Sequence, residues 1–264
     1  MTPWLLSAIA LTVALPSPSP PRTAGLAPGF FVTPHGCVAS PLQRLGTPAP
    51  LLPPSDPRTH TGQADMDDAY RARYAASLGH YDEAAALYAR ALKETPLTGY
   101  QAYLADAYFR IPLSIALFYA HRVEEAKSQW RSLLQQHEVT IDGGTRKAIA
   151  GDFQGSFVDY AQGIDTYGLG FRDAGSVYNL QRGLNAAAQA RYQDARRYLS
   201  YSLKCVSGFP TPHLILGVMD AMDGARPAAR QELMMALEGS VQSPITTRIS
   251  QTQADALRLL LHYD

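Results

Sequence analysis

The chain has 264 residues, of which 46% are hydrophobic, so it is long enough to bury a sizeable core. Its 23 basic and 23 acidic residues give a formal net charge of zero at neutral pH, which argues against a polyanionic partner. The composition therefore predicts a folded protein that does not bind nucleic acid.

An apolar run at the N-terminus predicts export. Residues Trp4 to Leu15 are apolar except for Ser7 and Thr12, a length that suits a secretory signal better than a membrane span. No Lys or Arg precedes the run, so an uncleaved anchor or a misassigned start codon stays open. We predict that residues 1–24 are a signal peptide or N-terminal hydrophobic segment. The mature protein would then be periplasmic, in the cell envelope or extracellular, with membrane contact only through an uncleaved N-terminus.

Residues 25–64 are rich in proline. Twelve of the 19 prolines fall between Pro16 and Ala64, and this stretch has neither helical nor strand periodicity. Proline removes a backbone donor and favours extended conformations, so we predict a disordered linker that acts as a semi-rigid spacer. The alternative is that PSPSPP or LLPPSDP docks in a proline-binding groove.

A helix hairpin is predicted around Gly79. This glycine interrupts an alanine-rich run, and the next helix begins with Asp82 and Glu83, which suit the positive end of a helix dipole. One hairpin cannot bury its own apolar stripe, so neighbouring copies are expected. The stripe consists of residues at steps of three and four, namely Ala84, Leu87, Tyr88, Ala91 and Leu92.

Similar hairpins recur further along the chain. Gly183 precedes Ala195 by twelve residues. Gly217 precedes Ala229 by the same distance, and this second pair lies 34 residues after the first. A step of 34 residues between helix hairpins is the period of the tetratricopeptide repeat, and the chain resembles that family.

The resemblance rests on residues of the second helix of each hairpin. The family places Ala there, an aromatic residue four positions later and often Pro at the end, which Ala84, Tyr88 and Pro96 match. Ala126 with Trp130 matches the first two features, whereas the later copies carry Leu at the aromatic position. The resemblance implies an all-α, TPR-like solenoid of helix hairpins in a right-handed superhelix. A general helical-repeat array is the alternative.

The predicted repeat domain covers residues 65–264. Residues 141–172 break the pattern, and a helix from Lys147 to Ile164 would either replace one hairpin or fold over the groove. A final helix at 251–262 is expected to cap the open end of the array. The hairpins themselves are predicted at about 65–98, 107–140, 173–206 and 210–242.

The resemblance also implies a binding surface. In similar proteins the first helices of the hairpins line an inner groove that holds an extended peptide or a partner's helix. The residues placed there by register are Tyr70, Arg73, Tyr108, Ile115, Phe118, Gln181, Leu184 and Val218. The Lys, Asn and Arg set of the family's carboxylate clamp is missing, so the groove is expected to be apolar. Either an apolar ligand or residues 147–171 would then fill it.

Motifs of catalysis are absent from the sequence. There is no GxxxxGK, HExxH, CxxC or GxSxG, and the seven histidines lack metal-ligand spacing. We therefore predict no catalytic residues, no metal and no cofactor. The predicted function is a non-catalytic adaptor or scaffold that binds another protein. The alternative is a binding module that holds a small apolar ligand or polymer chain in the groove.

The two cysteines leave two interpretations open. If the protein is exported, Cys37 and Cys205 could form a disulfide that ties the linker to the third hairpin. Alternatively, Cys205 is a small buried residue at the end of an apolar helix stripe.

Overall fold

The computed structural model describes residues 62–95, 105–137, 141–163, 174–239 and 249–264, together with the backbone of two short strands. These strands, Phe31–Val32 and Val38–Ala39, pair antiparallel within the segment that the sequence predicts to be a disordered linker. The predicted signal segment and the rest of the linker lie outside the described residues.

All other regular structure in the described residues is helical, which confirms the all-α prediction. Five pairs of consecutive helices pack against each other, and we call them hairpins A to E. Hairpin A is α1 (Ala64–Ser77) with α2 (Tyr81–Glu94), B is α3 (Ile111–Tyr119) with α4 (Val123–His137), C is α5 (Gly143–Ile149) with α6 (Phe153–Gln162), D is α7 (Ala174–Ala188) with α8 (Tyr192–Cys205), E is α9 (Pro210–Met222) with α10 (Arg226–Glu238), and α11 (Gln251–Tyr263) follows. None of these helices combines the length and apolarity needed to cross a bilayer.

The five hairpins share one turn geometry. In each hairpin, the second residue after the end of the first helix has a positive φ. The residue that follows it donates its backbone N–H to the carbonyl oxygen five positions earlier in the sequence. This left-handed turn satisfies carbonyls that the end of a helix leaves without partners. The residues with positive φ are Gly79, His121, Gly151, Ala190 and Gly224.

The turn places a small residue of the first helix opposite a large residue of the second. In hairpin D a methyl group added to Gly183 would lie 2.8 Å from Cγ of Leu199, so the two helices approach too closely for a larger side chain. Gly217 and Leu233 repeat this contact in hairpin E at the same 2.8 Å. The residues five positions after the turn are buried in all five hairpins, and they are Ala84, Ala126, Ser156, Ala195 and Ala229.

Hairpin C corrects the prediction of one helix from Lys147 to Ile164. Gly151, with φ of 82°, ends α5 and starts a new hairpin turn. Asp152 then caps α6 by accepting a hydrogen bond of 2.9 Å from the Gly155 N–H. Because α6 packs against α7, the described part of the predicted insert takes the place of a hairpin and does not fold over the others.

The start of α3 shows how a proline acts inside a helical run. Pro112 lies in the first turn of α3, where its missing N–H costs little. The residues before it, Asp106–Arg110, form a π-helical turn that continues into α3. Arg110 closes this turn by donating to Asp106 at 2.7 Å and to Ser132 of α4 at 3.1 Å.

The last helix contacts hairpins B and C as well as hairpin E. The predicted cap at 251–262 corresponds to α11, which packs against α9 and α10 of the last hairpin and also against α4 and α5. Asp264, directly after α11, forms ion pairs with Lys127 of α4, at 3.2 Å, and with Arg230 of α10. Hairpins B and E are therefore joined through the C-terminal residues of the sequence, and α10 also contacts α3.

Candidate functional site

Aromatic side chains gather where hairpin A meets hairpin B, and one of them is exposed. Tyr81 begins α2 and Tyr119 ends α3, so the shared turn geometry brings their rings together at 5.1 Å between centroids and 28° between planes. Tyr119 keeps 39% of its surface exposed. Phe118 lies beneath this pair, with its ring centroid 5.9 Å from both Tyr119 and Trp130. Trp130 is fully buried, so the stacked pair rests on the core.

Helix α10 continues this surface. The guanidinium of Arg230 lies 5.3 Å from the ring centroid of Phe118, a distance at which a cation is attracted to an aromatic face. Met235 is 39% exposed on the same helix, and Glu238 follows one turn later on the same face. We call Tyr81, Phe118, Tyr119, Met235 and Glu238 the tyrosine surface.

The electrostatics of two tyrosines show which charges are close to this surface. Burial raises the pKa of Tyr119, and the neighbouring Tyr81 and Glu238 raise it further. Burial also raises the pKa of Tyr88 to about 12, while Arg73 lowers it and Glu238 raises it. Arg73 of α1 and Glu238 of α10 therefore flank the same tyrosine, so the surface carries charges of both signs.

The predicted binding residues are only partly brought together. Phe118 belongs to the tyrosine surface, and Arg73 is exposed near its edge. Leu184 and Val218 are 0% exposed and belong to the core, so neither presents surface in this structure. The others are Tyr70, Ile115 and Gln181, which are half-buried, and Tyr108, which is exposed.

Sequence reasoning missed Tyr119, Met235 and Glu238. A signal for Tyr119 existed, since Tyr119 and Tyr81 both lie within two residues of a hairpin turn. Met235 and Glu238 could not have been found in this way, because their helix α10 meets α3 only in the tertiary structure.

The group most like a catalytic pair is buried in hairpin E. His213 places Nδ1 2.6 Å from a Glu232 carboxylate oxygen and Nε2 3.0 Å from the Ser207 carbonyl oxygen. Both ring nitrogens are thus engaged, and the side chain is almost fully buried, so the ring has no access to a substrate. Within the described ranges, no three His, Cys, Asp or Glu side chains are arranged to hold a metal ion.

Cys205 at the end of α8 is disulfide-bonded. The chain has one other cysteine, Cys37, which lies outside the described residues, so the predicted pairing of the two stays a prediction.

Comparisons with protein-family models, curated proteins and solved structures returned no match. The site therefore has to be interpreted from its own geometry.

Proposed function

We propose that this protein is a non-catalytic protein–protein interaction adaptor or scaffold that binds a partner through the tyrosine surface. The observation that carries the proposal is the stacking of the half-buried Tyr81 on the exposed Tyr119, on a surface that helix α10 extends with the exposed Met235. Tyrosine and methionine are enriched in the centres of protein interfaces, where a rigid aromatic ring buries a large area at a small entropic cost. The partner segment is a helix or extended peptide of another protein with apolar anchors for the rings.

The repeated hairpins support this proposal. Five hairpins share one turn geometry, and hairpins D and E share one contact of Gly against Leu, as a TPR-like solenoid would require. Such arrays work by presenting surfaces. Because the tyrosine surface rests on Trp130 and on helices from three hairpins, it would be preorganised for binding.

Export of the protein belongs to the same proposal. The disulfide at Cys205 supports it, because such bonds persist in oxidising compartments outside the cytoplasm. The apolar run from Trp4 to Leu15 would direct the chain there. The adaptor would then act in a cell-envelope or extracellular assembly.

Binding of a small apolar ligand or polymer is less well supported. That alternative needs an open apolar groove along the first helices, and Leu184 of α7 and Val218 of α9 have no exposed surface there. The half-buried Gln181 of α7 leaves room for a contact at the rim only.

Site-specific photo-crosslinking tests the proposal. A photo-reactive amino acid replaces Tyr119 in one variant and the exposed Gln135 of α4 in a matched control, both expressed in the native host. We expect one discrete protein adduct from the Tyr119 position and none from Gln135. A second variant, Met235→Ser, should lower the yield of that adduct at least tenfold. Equal adducts from both positions, or a small-molecule adduct at Tyr119 alone, would contradict the proposal.

A further inference from the structure

A contact beneath the tyrosine pair joins an aromatic ring, a cation and a carboxylate. The guanidinium of Arg230 lies 5.3 Å from the ring centroid of Phe118, and it also forms an ion pair with Asp264. The negative face of the ring attracts the cation, while the carboxylate binds it through charge-assisted hydrogen bonds. On this side of the protein, a basic side chain is therefore held by a ring together with a carboxylate.

A second ring and a second carboxylate lie exposed beside this contact. Tyr119 meets the ring of Phe118 edge to face and keeps 39% of its own surface exposed. Glu238 is exposed on α10, the helix that carries Arg230. Burial, Tyr81 and Glu238, in that order, raise the pKa of Tyr119, so the Glu238 carboxylate lies close to this ring.

The Glu238 carboxylate has no basic partner among the residues that the structure describes. Arg230, on the same helix, is engaged by Asp264. Arg73 of α1 flanks Tyr88 together with Glu238, but no ion pair joins these two charges in the described part of the chain. Tyr119 and Glu238 thus supply the ring and the carboxylate of a contact whose cation has to come from another molecule.

The charges around the tyrosine pair favour a basic partner. Residues 80–86 and 119–127 hold four carboxylates against one arginine and one lysine, so acidic groups exceed these bases by two. Arg122 is shared between Asp82 at 3.8 Å and Glu125 at 2.7 Å. Lys127 is shared between Glu124 at 3.3 Å and Asp264 at 3.2 Å. An excess of negative charge attracts cationic segments and repels acidic ones.

We propose that the partner anchors on the tyrosine surface with a basic side chain, Lys or Arg, which pairs with Glu238 and lies on the ring of Tyr119. The aliphatic stem of this side chain contacts the exposed Met235. This inference rests on the proposed function and names the chemistry of its partner, a helix or extended segment that carries Lys or Arg beside apolar residues. A segment without a base would cover the carboxylate without pairing it, which disfavours binding.

Crosslinking from the Tyr119 position tests whether binding depends on this charge. An aromatic photo-reactive residue keeps a ring at Tyr119, and the same chain carries Glu238→Gln, which removes the charge, or Glu238→Lys, which reverses it. We expect the yield of the protein adduct to fall about threefold or more with Gln and at least tenfold with Lys. Glu94→Lys, at the exposed opposite end of α2, is the matched control and should keep the yield within twofold.

The outcomes of this test separate the inference from the proposed function. An adduct that forms equally well in both Glu238 variants would overturn the basic anchor and leave the adaptor function standing. The absence of any protein adduct at Tyr119 would overturn both.

A charge swap tests the same contact from the side of the partner. Mass spectrometry of the adduct locates the crosslinked partner residue, and we expect a Lys or Arg within one helical turn of it. Replacing that base by Glu should lower the yield with the parent protein at least tenfold. Combining the changed partner with Glu238→Lys should restore the yield to within threefold. A partner segment without such a base, or a swap without rescue, would overturn the inference.

A purified system tests the recognition of charge directly. The full chain is titrated with acetyl-Leu-Arg-Leu-amide, and with the same tripeptide in which citrulline replaces arginine and keeps its shape without its charge. We expect the arginine tripeptide to shift the methyl NMR signal of Met235 at least threefold more, and Glu238→Gln to remove this difference. Equal shifts from the two tripeptides, or a larger shift from acetyl-Leu-Asp-Leu-amide, would overturn the proposal.

Discussion

Hairpins A and B build the contact between their two helices differently from hairpins D and E. In hairpin A the alanine Ala72 stands by register opposite Tyr88, and in hairpin B a serine stands opposite Trp130. In hairpin D, by contrast, Gly183 stands opposite Leu199. Hairpins A, B, D and E have the same turn geometry, and they differ in the sizes of the two side chains that meet between their helices. The comparison shows that a hairpin is defined by its turn and its small residue, and that the aromatic residue can be exchanged for Leu.

The largest expected effect tests whether the buried residue five positions after the turn has the same structural role in hairpin A and in hairpin D. Ala84→Asp in hairpin A and Ala195→Asp in hairpin D should each lower the free energy of unfolding by about 3 to 5 kcal/mol, because an unpaired charge would be buried. Thermal and urea denaturation followed by circular dichroism measure this loss.

The matched control is Ala86→Asp, which changes an exposed residue of the same helix, α2. Its effect should stay within about 0.5 kcal/mol. If all three variants melt like the parent, the assignment of the repeat positions is wrong.

The next effect tests the difference between the two regions directly. Gly183→Ala would place a methyl group 2.8 Å from Cγ of Leu199, and the crowding should outweigh the better helix propensity of Ala. We expect a net loss of about 1 to 2 kcal/mol in the free energy of unfolding, measured by urea denaturation. The reverse change in hairpin A, Ala72→Gly, should cost only about 1 kcal/mol of helix propensity. A gain in stability for Gly183→Ala would show that the Leu199 side chain can move aside.

A third prediction concerns α11, the helix that contacts both hairpin B and hairpin E. Asp255 of α11 is fully buried, and this burial, helped by the nearby Asp142, raises its pKa from 3.8 to about 6. Gln251 and Arg258 bind the carboxylate at 2.9 and 3.1 Å and oppose the shift. Because the folded state holds the proton more tightly than the unfolded state, the folded protein gains stability as the pH falls from 7 towards 5.

The contribution of Asp255 should be about 1 kcal/mol between pH 7 and pH 5. Urea denaturation at both pH values measures it, and Asp255→Asn should remove that part of the pH dependence while raising stability at pH 7. Identical pH profiles for the parent and the variant would mean that Asp255 does not titrate in this range.

The smallest effect concerns the shared turn. Ala190 has φ of 56°, a left-handed conformation that strains a residue with a side chain, whereas glycine occupies the equivalent position in hairpin E. Ala190→Gly should therefore raise the free energy of unfolding by about 0.5 kcal/mol, after the larger entropy of the unfolded glycine is taken into account. Gly224→Ala in hairpin E is the reciprocal control and should lower it, since open space around Gly224 leaves only backbone strain.

Much of the fold could be predicted because it depends on local patterns. Gly79, with the apolar stripe beside it, indicates a turn between two helices through short-range backbone preferences. Hairpin C was missed because Ser156 takes the place of the expected Ala and because Gly151 was read as part of one helix. An Asp that follows a glycine, as Asp152 does, is a helix-start signal that could have corrected this.

The candidate site was harder to predict from the sequence than the fold. Phe118 and Arg73 were assigned to the binding surface from their positions within the repeat. Such a position depends only on the hairpin to which the residue belongs. Leu184 and Val218 were assigned by the same rule and are buried, because the rule does not include what packs against a first helix from elsewhere in the chain.

The sequence by itself determined the helices, their turns and the position of the small residue in most hairpins, because backbone sterics and the 3.6-residue period act over a few neighbours. Only the tertiary structure decided that α11 lies between hairpins B and E and that α10 meets α3 beside Tyr119. Such contacts join residues more than a hundred positions apart, as when Tyr263 donates to the Ala148 carbonyl at 3.0 Å. They depend on the shapes of surfaces that exist only after the hairpins have formed, and no local pattern encodes them.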